Sequence, residues 1–216
     1  MPGPADLIVP ALLWPGYFLL HSLFASLWLK QRIAVRHPAL MPWYRILFNV
    51  QAVILILPPI AALWWLRSEP LWRWEGAFAW LAYGVMLSAG VGFFRSLSYY
   101  DSREFLGIRQ LQRQLQDVRD QERLYISPMH RFVRHPWYSL GLLLIWTQDM
   151  DAARLVSAIM VTLYLILGSR LEERKLLLYH GAVYRKYRKL VPGLIPLPWR
   201  YLSRREAENL LREMNA

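Results

Sequence analysis

The sequence predicts an all-α integral membrane protein with about five transmembrane helices, including a tight C-terminal helical hairpin, plus cytoplasmic amphipathic helices. Three observations predict this class. Of the 216 residues, 56% are apolar, more than the roughly 45–50% of an average soluble domain. These residues are gathered in runs of roughly 20, the length of helix that crosses a bilayer. The net charge of +11 is concentrated between the runs.

Three long apolar runs predict the first three spans, at Leu7–Leu29, Trp43–Leu66 and Gly76–Leu97. The Pro58-Pro59 pair predicts a kink in the second span, because proline removes a helical hydrogen bond. Small residues allow close approach of helices in a membrane. We therefore expect close helix contacts at the glycines of the third span, which are Gly84, Gly90 and Gly92.

Two shorter apolar runs follow, Phe132–Gln148 and Ala152–Gly168, and only the residues "DMD" separate them. So short a connection predicts a tight antiparallel hairpin of two helices. A buried hairpin of a soluble protein would have the same pattern. The three earlier runs favour the membrane interpretation.

The basic residues lie on one side of the predicted spans. Segments 30–45, 95–134 and 170–216 carry 23 of the 26 Lys and Arg residues, and the other side has only Arg67, Arg73 and Arg154. The positive-inside rule then places the N-terminus outside and the C-terminus in the cytoplasm, as expected for a bacterial inner-membrane protein. The charge is explained by topology, so nucleic acid is not needed as a partner. The absence of cysteine excludes disulfides, thiolate metal sites and a cysteine nucleophile.

Polar segments flank the predicted spans on the cytoplasmic side. Apolar residues recur with a helical period over Glu104–Leu124, which predicts one amphipathic helix. The basic tail continues the last span as a helix, with a break at Gly181. Ser203 and Glu206 form the pattern of a capping box, so a short terminal amphipathic helix is expected after Ser203.

The chain is interpreted as a single domain, 1–216. It divides into three N-terminal spans (7–97), a cytoplasmic connector (98–131), a hairpin with its tail (132–198) and a terminal helix (199–216).

The tetrapeptide V-R-H-P occurs twice, at 35–38 and 133–136. In the second copy Pro136 suits the first turn of a helix, where its missing N–H costs nothing. Arg134 and His135 would then stand at a helix N-terminus, which attracts anions, with Tyr138 in the first turn. An interfacial anchor on lipid phosphate is the alternative for this segment. The first copy, with His37, lies in a basic connection and is interpreted as a coincidence.

The fifth span ends in two adjacent acids, Glu172 and Glu173, where a helix dipole disfavours negative charge. Local pairing with the neighbouring bases is one explanation, and a cationic ligand is the other. Because the hairpin is tight, "RHPWY" and "EER" are expected to face one pocket. Tyr184 and Tyr187 share a helix face and could roof it. An acid, free amides and aromatic rings suit S-adenosylmethionine, which carries both charge signs and a sulfonium.

The motifs "RHPWY", "EER" and "HGAVYRKYRKLVPGLIP" resemble the C-terminal half of the isoprenylcysteine carboxyl methyltransferase and phospholipid methyltransferase superfamily. The N-terminal motifs "HSLFAS", "YRILFNV" and "FLGIRQL" are similar to the bacterial branch that includes NnrU-like proteins and methanethiol S-methyltransferase. The resemblance implies a membrane enzyme that transfers a methyl group from S-adenosyl-L-methionine and releases S-adenosyl-L-homocysteine. Its cofactor site would face the cytoplasm, and its acceptor could enter from the bilayer.

Individual residues take roles from this resemblance. Glu172 corresponds to the glutamate that binds the amino group of the cofactor, and Arg170 to a substrate-side arginine. Other matched positions are the cofactor-binding H-P-x-Y residues His135, Pro136, Trp137 and Tyr138, the preceding Tyr125 and His130, and an upstream glutamine, Gln110. The residues themselves add Arg134, Glu173, Tyr184 and Tyr187 as cofactor-binding candidates.

Several acceptors and one non-enzymatic role remain open from the sequence. The acceptor is a small or lipophilic thiol, a prenylcysteine carboxylate or a phospholipid amine, and the N-terminal motifs favour the thiol. His21 lies inside the first span, where an ionisable residue indicates function, and is a candidate for the acceptor side. The alternative role is an NnrU-like accessory or haem-binding protein with His21 and His130 as ligands. The methyltransferase interpretation requires no metal.

Overall fold

The structure is a computed structural model that describes residues 3–115 and 126–215. Those two ranges contain nine α-helices and no strand. The helices are α1 (Pro4–Ala25), α2 (Leu27–Arg36), α3 (Met41–Trp65), α4 (Gly76–Leu97), α5 (Ser102–Leu106), α6 (Ile108–Gln112), α7 (Pro136–Trp146), α8 (Ala152–Leu190) and α9 (Arg204–Asn215).

Four helices are long and apolar enough to cross a membrane: α1, α3, α4 and α8. In each of the first three, only 11% of the most apolar stretch is buried in the protein. Side chains of this character need a non-aqueous surrounding, and the protein interior does not supply it. The all-α membrane class is therefore confirmed. At 11 residues, α7 is shorter than a typical span, so the count of five stays a prediction.

The chain folds as two compact units, and the single-domain interpretation stays a prediction. The first unit comprises the described residues within 1–73, 100–122 and 149–161. Here α1 packs on α3, where the Tyr44 hydroxyl donates to the Phe24 carbonyl at 2.5 Å. The predicted first span does not continue to residue 29. Ser26 adopts an extended conformation, accepts a hydrogen bond from the Leu29 amide and starts α2.

The predicted amphipathic helix over 104–124 is wrong in its described part, because α5 and α6 are separated by Gly107. Gly107 has a φ of 90° and ends α5 in a left-handed conformation. A Cβ atom on this glycine would lie 2.8 Å from Cβ of Arg45 and 2.9 Å from the backbone nitrogen of Ile46. The contact with α3 therefore requires glycine, and glycine at this point interrupts the helix.

The second unit comprises the described residues within 74–99, 123–148 and 162–216. Its α4 begins and ends where the sequence predicted and packs against α7. Gly92 supports this packing, since a Cβ there would lie 3.3 Å from the Leu140 side chain. Gly84 and Gly90 have no neighbour within 4 Å on the side where a Cβ would point. The expectation of close contacts holds for Gly92 and is wrong for these two.

The hairpin and its tail bring the two polar motifs of the second unit together. The indole N–H of Trp146 in α7 donates to the Thr162 hydroxyl in α8 at 3.0 Å. Far past the apolar run, α8 continues to Leu190. It has non-helical backbone angles at Gly181, the predicted break. The start of α7 therefore lies beside the middle of α8.

The capping box of the terminal helix is confirmed. The Ser203 amide donates to the Glu206 carboxylate at 2.7 Å, and the Glu206 amide donates to the Ser203 hydroxyl at 3.3 Å. One face of α9 is buried against the tail of α8. This face belongs to a core cluster of Ile126, Tyr184, Tyr187, Val191, Leu202, Ala207 and Leu210.

Candidate functional site

The backbone before α7 is fixed by the segment after α8. The Arg134 amide donates to the Pro192 carbonyl at 2.9 Å, and the His135 amide donates to the Gly193 carbonyl at 3.1 Å. Residues 134 and 135 are not helical, and α7 begins at Pro136, whereas the predicted span began at Phe132. Pro136 occupies the first helical position, as expected.

Glu173 is the centre of a buried ionic cluster. Its Oε1 atom accepts from Nε of Arg134 at 2.8 Å, lies 2.7 Å from Nη2 of the same guanidinium and lies 3.1 Å from Nε2 of His135. Nε of Arg188 is 3.8 Å from the other oxygen. The acid is thus saturated by protein cations, so the local-pairing explanation applies to Glu173.

Glu172 has a different environment. Its Oε2 atom accepts from the Tyr138 hydroxyl at 3.3 Å and lies 3.4 Å from Nδ1 of His135. Its side chain is 44% exposed, against 10% for Glu173. The two adjacent acids therefore have different roles. Glu173 anchors the cluster, and Glu172 presents a partly exposed carboxylate to the surroundings.

His135 joins the two acids. Its ring nitrogens face Glu173 and Glu172, and its ring stacks on Tyr138 at a centroid distance of 5.3 Å and an angle of 9°. Burial lowers the pKa of His135, but the hydrogen bonds and charges of the two glutamates outweigh it, so the pKa is raised above its ordinary value. The geometry favours an imidazolium bound between two carboxylates.

A pH dependence follows from the raised pKa. The stabilisation from protonated His135 is fully present at a pH below the ordinary histidine pKa. It is lost as the pH rises through the raised pKa of His135. Between about pH 6 and about pH 9, the unfolding midpoint should therefore fall more in the wild type than in His135→Gln. The exposed His37 of the other V-R-H-P copy gives the control, and His37→Gln should follow the wild type. Equal slopes for wild type and His135→Gln would contradict this.

His130 lies beside this cluster. Its Nδ1 atom is 2.7 Å from the Ser127 hydroxyl, and its carbonyl accepts from the Tyr187 hydroxyl at 2.6 Å. Burial, with the positive charge of His135 as a second cause, lowers the pKa of His130 to about 4. A neutral imidazole is compatible with the predicted place beside a cofactor, which stays a prediction.

Three predicted aromatic residues pack within the second unit. The Trp137 indole N–H donates to the buried Ser96 hydroxyl at 2.7 Å, which fastens α7 to α4. Tyr184 and Tyr187 are only 1% and 2% exposed, inside the core cluster under α9. The terminal helix belongs to the same cluster and encloses these rings, and the expectation that they roof the pocket stays a prediction.

The remaining predicted residues are distributed as follows. His21, whose ring is 5.0 Å from that of Phe48, and Gln110, whose amide donates to the Glu104 carbonyl at 3.2 Å, lie in the first unit. Tyr125 lies outside the described residues. Arg170 is exposed and lines a groove of about 710 Å³ in the second unit. The roles of all four stay predictions.

Sequence reasoning missed the tail residues that complete the cluster. Gly193 accepts the His135 amide, and a Cβ on Gly193 would lie 3.3 Å from Nη2 of Arg134. Arg188 contributes its carbonyl, which accepts from Nη1 of Arg134 at 3.0 Å. The Pro-Gly dipeptide within "VPGLIP" was the available signal, because it marks a turn.

The chain is similar to curated methyltransferases over most of its length. It is 28% identical over 201 residues to methanethiol S-methyltransferase 2 of Bradyrhizobium diazoefficiens, which covers 88% of this chain and 76% of the relative. It is 26% identical over 205 residues to methanethiol S-methyltransferase of Pseudomonas deceptionensis, which covers 87% and 76%. The chain is a homologue of these proteins.

A further relative, methanethiol S-methyltransferase of Crocosphaera subtropica, is 43% identical over 68 residues, or 31% of this chain and 27% of the relative. No protein-family model and no solved structure matches the chain. The resemblance to the methanethiol S-methyltransferase-like branch is confirmed. Homology to these methyltransferases supports a membrane enzyme that methylates a thiol.

Proposed function

We propose that the protein transfers a methyl group from S-adenosylmethionine to a small thiol, with methanethiol, named for its relatives, as the first candidate acceptor. The observation that carries this proposal is the half-exposed carboxylate of Glu172 beside Tyr138 and His135. A carboxylate in that position suits the ammonium of an amino-acid cofactor. The relatives' names support the thiol as acceptor.

The residues present fit the donor. Glu172 offers a carboxylate whose neighbouring acid, Glu173, is already neutralised by Arg134 and His135. Tyr138, in the first turn of α7, offers a hydroxyl and an aromatic ring. Aromatic faces attract sulfonium cations and stack on bases. We assign Glu172, Tyr138, His135 and His130 to the donor and Arg134 and Glu173 to the support of that site.

When bound, S-adenosylmethionine supplies a methyl group activated on a sulfonium. The work of the protein is then to hold and orient the two partners and to exclude water. The Arg134–Glu173–His135 cluster fixes the start of α7 and hence the direction of Tyr138. Arg170 is our candidate for favouring the thiolate, the nucleophilic form of the acceptor. His21 and Gln110 stay candidates for the acceptor and cofactor sides.

Replacing Glu172 by alanine is the direct test of the donor site. A charge-assisted hydrogen bond contributes about 1.5–3 kcal/mol, so S-adenosylhomocysteine should bind about 10- to 100-fold more weakly. Calorimetry on purified protein measures this. Glu208→Ala on α9 is the control, because Glu208 is exposed and pairs with Arg204. Unchanged affinity in Glu172→Ala would show the assignment to be wrong.

A donor-consumption assay separates the acceptors. Purified protein with S-adenosylmethionine should consume the donor with methanethiol or another small thiol, and less with prenylcysteines or phospholipid amines. The haem-binding alternative, with His21 and His130 as ligands, predicts a Soret band and no binding of S-adenosylhomocysteine. That combination would refute the enzyme.

We also propose that the N-terminus is outside and the C-terminus is in the cytoplasm of a bacterial inner membrane. The asymmetry of Lys and Arg supports this orientation. Because the chain has no cysteine, single cysteines report cleanly. In intact cells an impermeant maleimide should label Glu69→Cys, and it should label Glu208→Cys only after permeabilisation. The reverse pattern would invert the orientation.

A further inference from the structure

A groove runs between α8 and the segment that follows it in the second unit. From Ile166 to Arg174, the residues that α8 contributes recur every three or four positions and share one helix face. Arg188 is contributed by the part of α8 that follows the break at Gly181. The groove encloses about 710 Å³. Its walls are Arg134, Ile166, Ser169, Arg170, Glu173, Arg174, Arg188, Pro192, Gly193, Leu194, Ile195 and Leu197. We call it the arginine groove.

The arginine groove has an excess of positive charge. Four guanidinium groups and one carboxylate line it, and that carboxylate, on Glu173, is already bound by Arg134 and His135. Arg170 and Arg174 form no ion pair with any residue that the structure describes, and Arg188 reaches Glu173 only at 3.8 Å. Neighbouring cations of this kind repel one another, and an anion between them removes the repulsion.

The groove also has apolar lining residues. Ile166, Leu194, Ile195 and Leu197 line it, and Ile195 is 71% exposed. Leu167 and Leu171 in the same stretch of α8, and Trp199 in the segment that follows it, are also exposed apolar residues. The groove therefore lies where α8 leaves its apolar run. A ligand that fits both the charged and the apolar lining has an anionic head and a hydrocarbon chain.

We propose that the arginine groove binds an anionic phospholipid, with its phosphate between Arg174 and Arg188 and its acyl chain along Ile166 and Ile195. Guanidinium groups bind phosphate through paired hydrogen bonds. Basic residues next to a span attract anionic lipid headgroups. A small thiol would fill little of this volume, so the groove is larger than the proposed acceptor requires. The groove shares Arg134, Arg170 and Glu173 with the proposed enzymatic site. Arg174, Ile166 and Ile195 have no role in that site, so the lipid proposal can fail while the proposed enzymatic function holds.

The test compares two charge reversals on the same helix. Arg174→Glu changes the groove, and Arg185→Glu makes the same change at an exposed position that does not line it. Dioleoylphosphatidylglycerol, titrated into detergent-solubilised protein, should raise the unfolding midpoint of the wild type, whereas dioleoylphosphatidylcholine should not. The apparent affinity for the anionic lipid should fall about tenfold or more in Arg174→Glu and stay unchanged in Arg185→Glu.

Three outcomes would overturn the proposal. The first is an equal loss of affinity in both variants, which would indicate a general charge effect. The second is an equal shift with inorganic phosphate at the same concentration, which would make the ligand a free anion. The third is displacement of the lipid by S-adenosylhomocysteine, which would make the groove part of the donor site. If Arg174→Glu does not fold, Arg174→Gln takes its place, with a smaller expected loss and the same criteria.

Discussion

Replacing Glu173 by alanine is expected to destabilise the protein by about 3–5 kcal/mol, the usual cost of removing one partner from a buried ion pair. The reason is the number of groups that this carboxylate satisfies. Without it, the guanidinium of Arg134, with a side chain 11% exposed, and the imidazole of His135, with a side chain 5% exposed, lose their shared anion. The segment before α7 would lose its ionic link to α8.

The neighbouring acid provides the control. Glu172→Ala should change the free energy of unfolding by less than about 1 kcal/mol, because its side chain is 44% exposed and its contacts are 3.3 and 3.4 Å long. Chemical unfolding of both variants in one detergent measures the difference. Equal losses of stability would contradict the division between an anchoring Glu173 and a ligand-facing Glu172.

Replacing Gly107 by alanine is expected to cost about 2–5 kcal/mol. A side chain at a φ of 90° is strained by about 1–2 kcal/mol. The new Cβ would also meet Cβ of Arg45 and the backbone of Ile46 below 3.0 Å, and overpacking of this kind costs about 1–3 kcal/mol. We therefore expect a clear fall in the unfolding midpoint.

Gly90→Ala is the matched control for this substitution. Gly90 lies inside α4, and a Cβ there meets nothing within 4 Å. Alanine in a helix interior should be neutral or stabilising by roughly 0.5–1 kcal/mol. If Gly107→Ala were as stable as Gly90→Ala, α5 and α6 would not depend on the close approach to α3.

The ionic cluster around Glu173 supports the proposed donor site. Methyl transfer depends on alignment, so the groups that hold the donor must not move. Three parts of the chain meet here: residues 134 and 135, Glu173 of α8, and Gly193 of the segment after α8. The proposed donor site at Glu172 and Tyr138 thus rests on a rigid base, although Glu172 itself stays accessible.

Local patterns predicted the helical elements. The bounds of α4, the break at Gly181 and the cap at Ser203 agree with the sequence. Apolar runs, glycine and capping residues act on their own turn or span, so their effect can be read without knowing the partners. The sequence also predicted that "RHPWY" and "EER" lie close together, because a connection of only three residues makes two helices pack side by side in opposite directions.

Only the tertiary structure decided the different roles of Glu172 and Glu173. Glu172 and Glu173 are adjacent and chemically identical, and their helix position turns one toward Arg134 and the other toward Tyr138. The burial of Tyr184 and Tyr187 likewise depends on α9, and the break at Gly107 depends on α3. The sequence by itself determined a membrane-spanning helical protein with a paired-motif site. The roles of single residues were decided by contacts with distant parts of the chain, because burial and charge pairing are properties of the packed molecule.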